Sequence, residues 1–339
     1  MDRFMDMPAG TLSTATTNGS CQGASLLDVE NLTVDFRISR RATVRAVSGL
    51  SFSIQEGETL GLVGESGCGK TSAARAIVGL LPLTSGRIVF NGKTISRGGR
   101  QKICPDIQMV FQNAVASLNP SRSVGKTIAE PLRGSERGNR RNRFRLAARS
   151  MKAVGIEPSD AFHRRPFEFS GGQCQRFSIA RALITSPRLL VCDEPVSSLD
   201  VSVQAQILNL LRRLRRRYGL TMLFISHDLG VIKNISHRVA VMFKGALCEV
   251  ASSGHFYNSP MHPYSAALLA AVPDPDADNR VAVSIQAATC NPQLPTPPSG
   301  CPYHERCPVA GPLCDKQAPV LQQIAAHRQV ACHYPLTQI

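Results

Sequence analysis

Residues 60–81 read LGLVGESGCGKTSAARAIVGLL. Leu60-Gly61-Leu62-Val63 is a short run of the buried-strand kind, and SAARAIVGLL has the apolar spacing of a helix. Between them, Gly64-Glu65-Ser66-Gly67-Cys68-Gly69-Lys70-Thr71 matches G-x-x-x-x-G-K-[ST] in the strand-then-helix context that pattern requires. Glycines let backbone amides turn inward around phosphate oxygens, and the following helix offers its positive end. The stretch from Gly64 to Ser72 is therefore expected to hold a nucleotide. Lys70 is expected to reach the β- and γ-phosphates, and the Thr71 hydroxyl to sit on Mg²⁺.

A second apolar run, Leu189 to Cys192, ends in Asp193-Glu194. A carboxylate at the end of a buried strand falls at the carboxyl edge of a parallel sheet, where phosphate loops also lie. Asp193 suits Mg²⁺ coordination through water. Glu194, one residue further out, suits proton removal from an attacking water. Two acids that merely begin a loop are the plainer alternative, and the Lys70-Thr71 pair weighs against it.

Around these the chain alternates strands and helices. LLDVENLTVDF and VRAVSGLSFSI alternate like strands, and SGRIVFNGKTI reads as a strand pair about an Asn91-Gly92 turn. ICPDIQMVFQN holds one more strand, and residues 115–186 have mostly helical period. VSVQAQILNLLRRLRRRYG is amphipathic, with Gly219 as its stop. LTMLFISHD is another buried strand, and VAVMFKGALCEV closes as a hairpin at Lys244-Gly245. Strands separated by helices imply an α/β fold with a mostly parallel sheet. Residues 1–24 read as a disordered tail. The stretches PDPDADN and CNPQLPTPPSG read as linkers, and a small cysteine-bearing module follows at 300–335.

The 339 residues are 43% apolar and 19% charged, which suits about two domains of ~150 residues and excludes a wholly disordered chain. No apolar stretch approaches the ~20 residues of a membrane-spanning helix, and the N-terminus has no secretory h-region, so an intracellular chain is expected. Lys and Arg number 39 against 24 Asp and Glu, a net +15. Much of the excess lies in RGSERGNRRNRFRLAAR (133–149) and LRRLRRRYG (211–219), either solvated helix faces or a surface for anions. Of eleven cysteines, Cys301, Cys307, Cys314 and Cys332 cluster near the end. Their spacing is wider than that of zinc knuckles and suits a [4Fe–4S] cube, with a zinc ion or four free thiols as alternatives.

Five motifs in fixed order carry a resemblance. Phe169-Ser170-Gly171-Gly172-Gln173 is similar to the LSGGQ signature of ABC-transporter ATPases. With the phosphate loop, Asp193-Glu194-Pro195, Ser198-Leu199-Asp200 and Ser226-His227-Asp228, the likeness covers 26–260. It implies a P-loop, RecA-like core with an antiparallel β subdomain over 25–260, an inserted helical subdomain at about 115–186, and a Cys-rich extension at 261–339. It also implies roles. Phe36 would stack on adenine. Gln112 would touch Mg²⁺ and the attacking water. Ser170, Gly171, Gly172 and Gln173 would bind the γ-phosphate held by an opposite subunit. Asp200 would form the D-loop, and His227 would contact the γ-phosphate as a switch.

The sequence departs from the family pattern at Cys68, Phe169, Ser198 and Cys174, none of which removes a reacting group; the thiol of Cys68 is expected to make the loop sensitive to oxidation or alkylation. Ser259-Pro260-Met261-His262-Pro263-Tyr264 and the Gly300-Cys301-Pro302…Arg306-Cys307 pattern resemble the oligopeptide/dipeptide importer branch, as does the form ESG-x-GKT. Some members of that branch hold an iron–sulfur cluster there; His304 and His333 read as neighbours rather than ligands. The resemblance implies an ATPase coupled to transport, using ATP and Mg²⁺ on the cytoplasmic side of a bacterial membrane. Its implied partners are a second ATPase subunit, two permease subunits and an extracytoplasmic solute-binding protein. Nickel, glutathione and opine importers are the alternative solute classes. A nucleic-acid ATPase, suggested only by charge, is disfavoured by the single core and the lack of sustained heptads.

Overall fold

The computed structural model describes residues 25–39, 42–97, 100–101, 104–133, 139–272 and 299–336. The expected tail at 1–24, the Pro-rich stretch at 273–298, part of the first arginine run (134–138), and Cys21 and Cys290 lie outside them. The chain divides into two compact units. One contains Gln55–Glu58 and Cys104–Met222; the other contains Leu27–Ile54, Thr59–Ile103 and Leu223–Ile339.

In the first unit, strands Ile107–Val110 and Leu189–Asp193 run parallel, in register from Ile107 opposite Leu189 to Val110 opposite Cys192. All five residues of Leu189–Asp193 are buried, as an unbroken apolar run demands. The helical stretch read at 115–186 holds Val124–Ile128, Arg140–Ala153 and Gly171–Leu183 among its helices. Gly125 lies where any Cβ would meet the Phe162 ring at 2.5 Å, so helix Val124–Ile128 packs its backbone directly on that ring. Helix Val201–Tyr218 buries Ile207, Leu208, Leu210, Leu211 and Leu214 along one stripe. It ends at Gly219 in the left-handed region (φ 61°), the stop expected from the sequence. Arg213, Arg216 and Arg217 are exposed.

The second unit carries an antiparallel sheet in the order Thr43–Gln55, Ser25–Arg37, Ser85–Phe90, Lys93–Arg97, Arg100–Gln101. Asn91 and Gly92 both have positive φ (50° and 72°), the primed turn whose twist matches a hairpin. The strand before the glycine loop, Thr59–Val63, pairs in parallel with Arg238–Phe243, Leu60 opposite Arg238 and Val63 opposite Val241. Arg238–Phe243 then turns through Lys244-Gly245 (φ 42° and 85°) into antiparallel Ala246–Ser252.

Two strands in the C-terminal module were not legible in the sequence. Arg328–Val330 pairs antiparallel with Ala246–Ser252 through Glu249 opposite Val330, and Gln322–Ala325 pairs with Arg328–Val330. They are three and four residues long, too short for an alternation signal.

A fully buried carboxylate fixes this addition. Glu249 is ion-paired to Arg328 at 3.0 Å and accepts from the backbone N–H groups of Met261 and His262. Unpaired, a buried carboxylate would cost several kcal/mol. His262 in turn caps helix Pro263–Ala270: its Nδ1 accepts from Tyr264 N at 3.0 Å, and Pro263 fills the first helical position, where no N–H is needed. Burial lowers the His262 pKa from 6.5 to about 4, in keeping with an Nδ1 that must stay unprotonated to accept.

That shift has a direction for stability. The unfolded chain takes up the proton first, so the contribution of His262 is intact above pH 6.5 and is lost as pH falls toward about 4. The melting temperature is expected to fall through that window, less steeply in His262→Asn, which keeps a capping acceptor that does not titrate. Equal slopes in thermal melts of the two proteins would contradict it.

Candidate functional site

The glycine loop lies in the second unit. Gly64 has φ 154°, and a Cβ there would meet Met242 O at 2.1 Å; Gly69 has φ 104°, and a Cβ there would meet Ala46 O at 2.1 Å. Only glycine fits either position. Gly69 is the N-cap of helix Lys70–Ile77, and no side chain caps that helix end. A glycine cap has no side chain to compete there, and a helix start of this kind suits an anion.

Lys70 is buried, and its Nζ donates back into the loop, to Gly64 O at 2.7 Å and Glu65 O at 2.9 Å. The cationic head is thus already held over the arch of the loop. Cys68 is buried, and burial raises its thiol pKa even against the lowering pull of Lys70. A raised pKa means less thiolate, so the expected chemical sensitivity of Cys68 is opposed by its surroundings.

Glu65 is engaged from three directions. Its N–H donates to Tyr264 Oη at 3.0 Å, its carbonyl accepts from Lys70, and its carboxylate takes Arg306 in a two-pronged pair at 3.1 and 3.0 Å. Sequence reasoning singled out the motifs containing Tyr264 and Arg306 but not this junction. Separations of 199 and 241 residues carry no local signal.

Also in this unit, Phe36 stands 39% exposed at the end of its strand, open to a flat ring. His227 is exposed just after strand Thr221–Ile225, between Ser226, whose Oγ accepts from Asp228 N, and Asp228, which caps helix Leu229–Ile235.

The first unit holds the remaining candidates. Asp193 is buried at the end of its strand. Glu194 follows with φ 45°, a left-handed conformation costly for a residue with a Cβ and concentrated at functional positions. Gln112 Nε2 donates to Glu194 Oε2 at 3.0 Å, so two residues 82 apart in sequence meet. Ser170 caps helix Gly171–Leu183 in a capping box with Gln173, whose side chain returns to Ser170 N at 3.0 Å. Phe169 rests edge-on to Phe177 (4.9 Å) with Arg164 over its face (4.5 Å), which accommodates the Leu-to-Phe departure. Gly172 abuts Val203, leaving no room for a side chain. Asp200 caps helix Val201–Tyr218 through Val203 N, and hydrogen bonds from Ser202 and Val203 lower its pKa. Part of the first arginine run lines a cavity of about 380 Å³ with Arg122, Lys126, Arg133, Arg140, Arg143 and Phe144.

None of the four clustered cysteines is in a disulfide. Burial is the first cause raising the Cys301, Cys307 and Cys332 values, Cys332 to about 11, and the cysteines add to it through one another's charge. Backbone hydrogen bonding from Tyr303 and His304 at Cys301, from Val309 at Cys307 and from Tyr334 at Cys332 pulls the other way. Thiol donor chemistry is that of soft-metal ligands. Among the described residues, however, no group of three or more Cys, His, Asp or Glu is set to hold one ion, so the expected cluster or zinc gains no geometric support. His304 and His333 bond to the carbonyls of Cys301 and Gln317.

Comparison with known proteins identifies the family. Residues 47–197 match the family model described as ABC transporter, and residues 248–314 match that described as oligopeptide/dipeptide transporter, C-terminal region. The chain is 46% identical over 322 residues to the oligopeptide transport ATP-binding protein OppF of Escherichia coli (strain K12), covering 91% of this chain and 95% of that one. It is 46% identical over 297 residues to AppF of Bacillus subtilis (strain 168), also an oligopeptide transport ATP-binding protein, covering 86% and 89%. Among solved structures, the ATP-binding cassette MJ0796, a dimer in a post-hydrolysis state bound to ADP and Pi, aligns with TM-score 0.59 at 25% identity over 67% of this chain and 98% of its own. CbiO1 from Clostridium perfringens, part of the ABC transporter complex cbiONQ, aligns with TM-score 0.60 at 26% identity over 69% and 91%.

Gly69→Ala is expected to destabilise the chain by ~2 kcal/mol or more, from the left-handed backbone and the clash with Ala46 O. Urea unfolding measures this. Wild-type stability in the variant would mean that the loop does not take this backbone path.

Proposed function

The chain belongs to the ABC-transporter ATP-binding proteins of the oligopeptide/dipeptide type, and from this we propose that it binds and hydrolyses ATP to power an importer of di- or oligopeptides. The observation that carries the reading is the Gln112–Glu194 hydrogen bond on a left-handed residue at a strand end, in a chain whose glycine loop leads into a glycine-capped helix and holds a lysine in place.

Phosphoryl transfer to water needs mainly positioning and charge stabilisation. The loop from Gly64 to Ser72 holds the phosphates, Lys70 neutralises the β- and γ-oxygens, and Phe36 stacks on adenine. Thr71, Gln112 and, through water, Asp193 would hold Mg²⁺, which would supply further neutralisation of the phosphate charge. Glu194 accepts the proton of the attacking water as its oxygen bonds to the γ-phosphorus and ADP departs. Gln112, bonded to Glu194, orients that carboxylate and the water. His227 contacts the γ-phosphate and responds to its presence. Ser170, Gly171, Gly172 and Gln173, with Asp200, complete the site of a second ATPase subunit, so closure of the pair and hydrolysis are linked. A pair that closes with nucleotide and opens after hydrolysis is a two-state element able to drive permeases.

The organisation that goes with this role is an ATPase domain over 25–260, its helical subdomain at about 115–186, and the extension at 261–339. Partners are a second ATPase subunit, two permeases and an extracytoplasmic solute-binding protein, with the chain on the cytoplasmic face of a bacterial cell membrane. Among the described residues no helix is long and apolar enough to cross a membrane, so the permeases supply the spans. Cys301, Cys307, Cys314 and Cys332 are proposed as thiolate ligands of an iron–sulfur cluster or zinc, supported by donor chemistry alone.

Glu194→Gln is expected to keep MgATP binding and lose steady-state hydrolysis by a factor of at least ~100, as general-base removal typically does. Lys70→Ala is expected to lose nucleotide binding. Unchanged turnover in the first, or wild-type affinity in the second by equilibrium binding, contradicts the assignment. For the cysteines, anaerobically purified protein should be brown and lose the colour in Cys301→Ser; colourless, metal-free protein contradicts a resident metal.

A further inference from the structure

Glu65, the second residue of the phosphate loop, is held by parts of the chain that come far later. Tyr264 Oη accepts from its N–H at 3.0 Å, and Arg306 takes its carboxylate with both terminal nitrogens at 3.1 and 3.0 Å. We propose that Arg306 and Tyr264 are positioning residues that clamp Glu65, so that the C-terminal cysteine module sets the grip of the phosphate loop on nucleotide. The proposal rests on the ATP-site reading above and adds a control to it.

Three features separate this contact from an ordinary surface ion pair, which contributes little. It is two-pronged, with the planar guanidinium matched to the carboxylate. Arg306 is only 18% exposed and lies over the rings of Phe243 and Tyr303, at 5.7 and 5.8 Å, which fix its plane. Its backbone place is set by the cysteine loop. It ends the short turn His304–Arg306, whose carbonyl and amide bonds link Cys301 to His304 and His304 to Cys307. Cys301 N in turn donates to Cys314 O. Tyr264 is placed as firmly, two residues after the His262 cap and 4.6 Å from Phe243, ring to ring.

The consequence reaches the loop itself. The same residue whose amide and carboxylate are clamped offers its carbonyl to Lys70 Nζ at 2.9 Å. Moving Glu65 therefore moves the platform on which the phosphate-binding lysine rests. Charge adds a second effect. A bare carboxylate beside a triphosphate repels it, and Arg306 neutralises that carboxylate.

These two effects predict an asymmetric pattern that a purely structural role would not give. MgATP binding to the full-length protein is measured at equilibrium, with KM and kcat read in the assembled transporter. Arg306→Gln is expected to weaken MgATP binding about ten-fold, equivalent to ~1.4 kcal/mol, raising KM while kcat at saturating ATP changes less than about two-fold. Adding Glu65→Gln removes the unmasked charge, so the double variant is expected to bind more tightly than Arg306→Gln alone. Tyr264→Phe, which deletes one oxygen and leaves Arg306 in place, is expected to weaken binding several-fold at an unchanged melting temperature, and it serves as the test if Arg306→Gln melts early. Wild-type affinity in both Arg306→Gln and Tyr264→Phe overturns the clamp, as does a double variant no tighter than Arg306→Gln. Failure of the wild-type chain to bind MgATP, or full affinity in Lys70→Ala, would instead overturn the ATP-site reading.

Discussion

The phosphate loop is confined by backbone on two sides. Met242 O and Ala46 O stand where any side chain at Gly64 or Gly69 would have to go, each 2.1 Å from an ideal Cβ. The same neighbours stitch the loop in place: Gly245 N donates to Cys68 O at 2.9 Å, and Ser48 N donates to Gly245 O at 2.8 Å. A loop held this closely has its backbone path set by its neighbours, and a preset path needs little reorganisation at the moment of binding. Lys70, tied to two loop carbonyls, completes the arrangement from within.

The hairpin that supplies Met242 and Gly245 also supplies Glu249, whose buried charge is satisfied by Arg328 and by the amides of Met261 and His262. Three sequence-distant segments thus meet on one carboxylate. Satisfying it requires the C-terminal strand, the His262 cap and the hairpin to be present together, which makes the extension part of the nucleotide unit's own architecture. The triplet His262-Pro263-Tyr264 then has a physical sense: an unprotonated cap, a proline where no N–H is wanted, and a phenol that reaches the loop.

In the first unit the polar motif residues double as helix caps. Ser170 with Gln173 starts one helix and Asp200 starts another, each with its side chain bonded to backbone N–H groups. A cap at a helix start is a polar side chain held rigidly at an exposed, electropositive point. That is also what a residue needs if it is to meet an anion presented by another subunit. Glu194 is the contrasting case. Its backbone is left-handed, and its carboxylate accepts from Gln112.

Much of this was legible from the residues. The glycine loop, the strand that ends in Asp193, the Asn91-Gly92 and Lys244-Gly245 turns and the Gly219 stop are local patterns. Each depends on backbone preferences within a few residues, and each lies where the sequence put it. The resemblance of five ordered motifs carried the family. What the sequence did not contain were pairings across long separations: Glu65 with Tyr264 and Arg306, Glu249 with Arg328, Gln112 with Glu194, and the short strands of the C-terminal module. Single residues have no periodicity, and a carboxylate does not announce its partner. Chain composition and local spacing decide which chemistry is available; only the folded chain decides which charges are buried, and therefore which of them must meet.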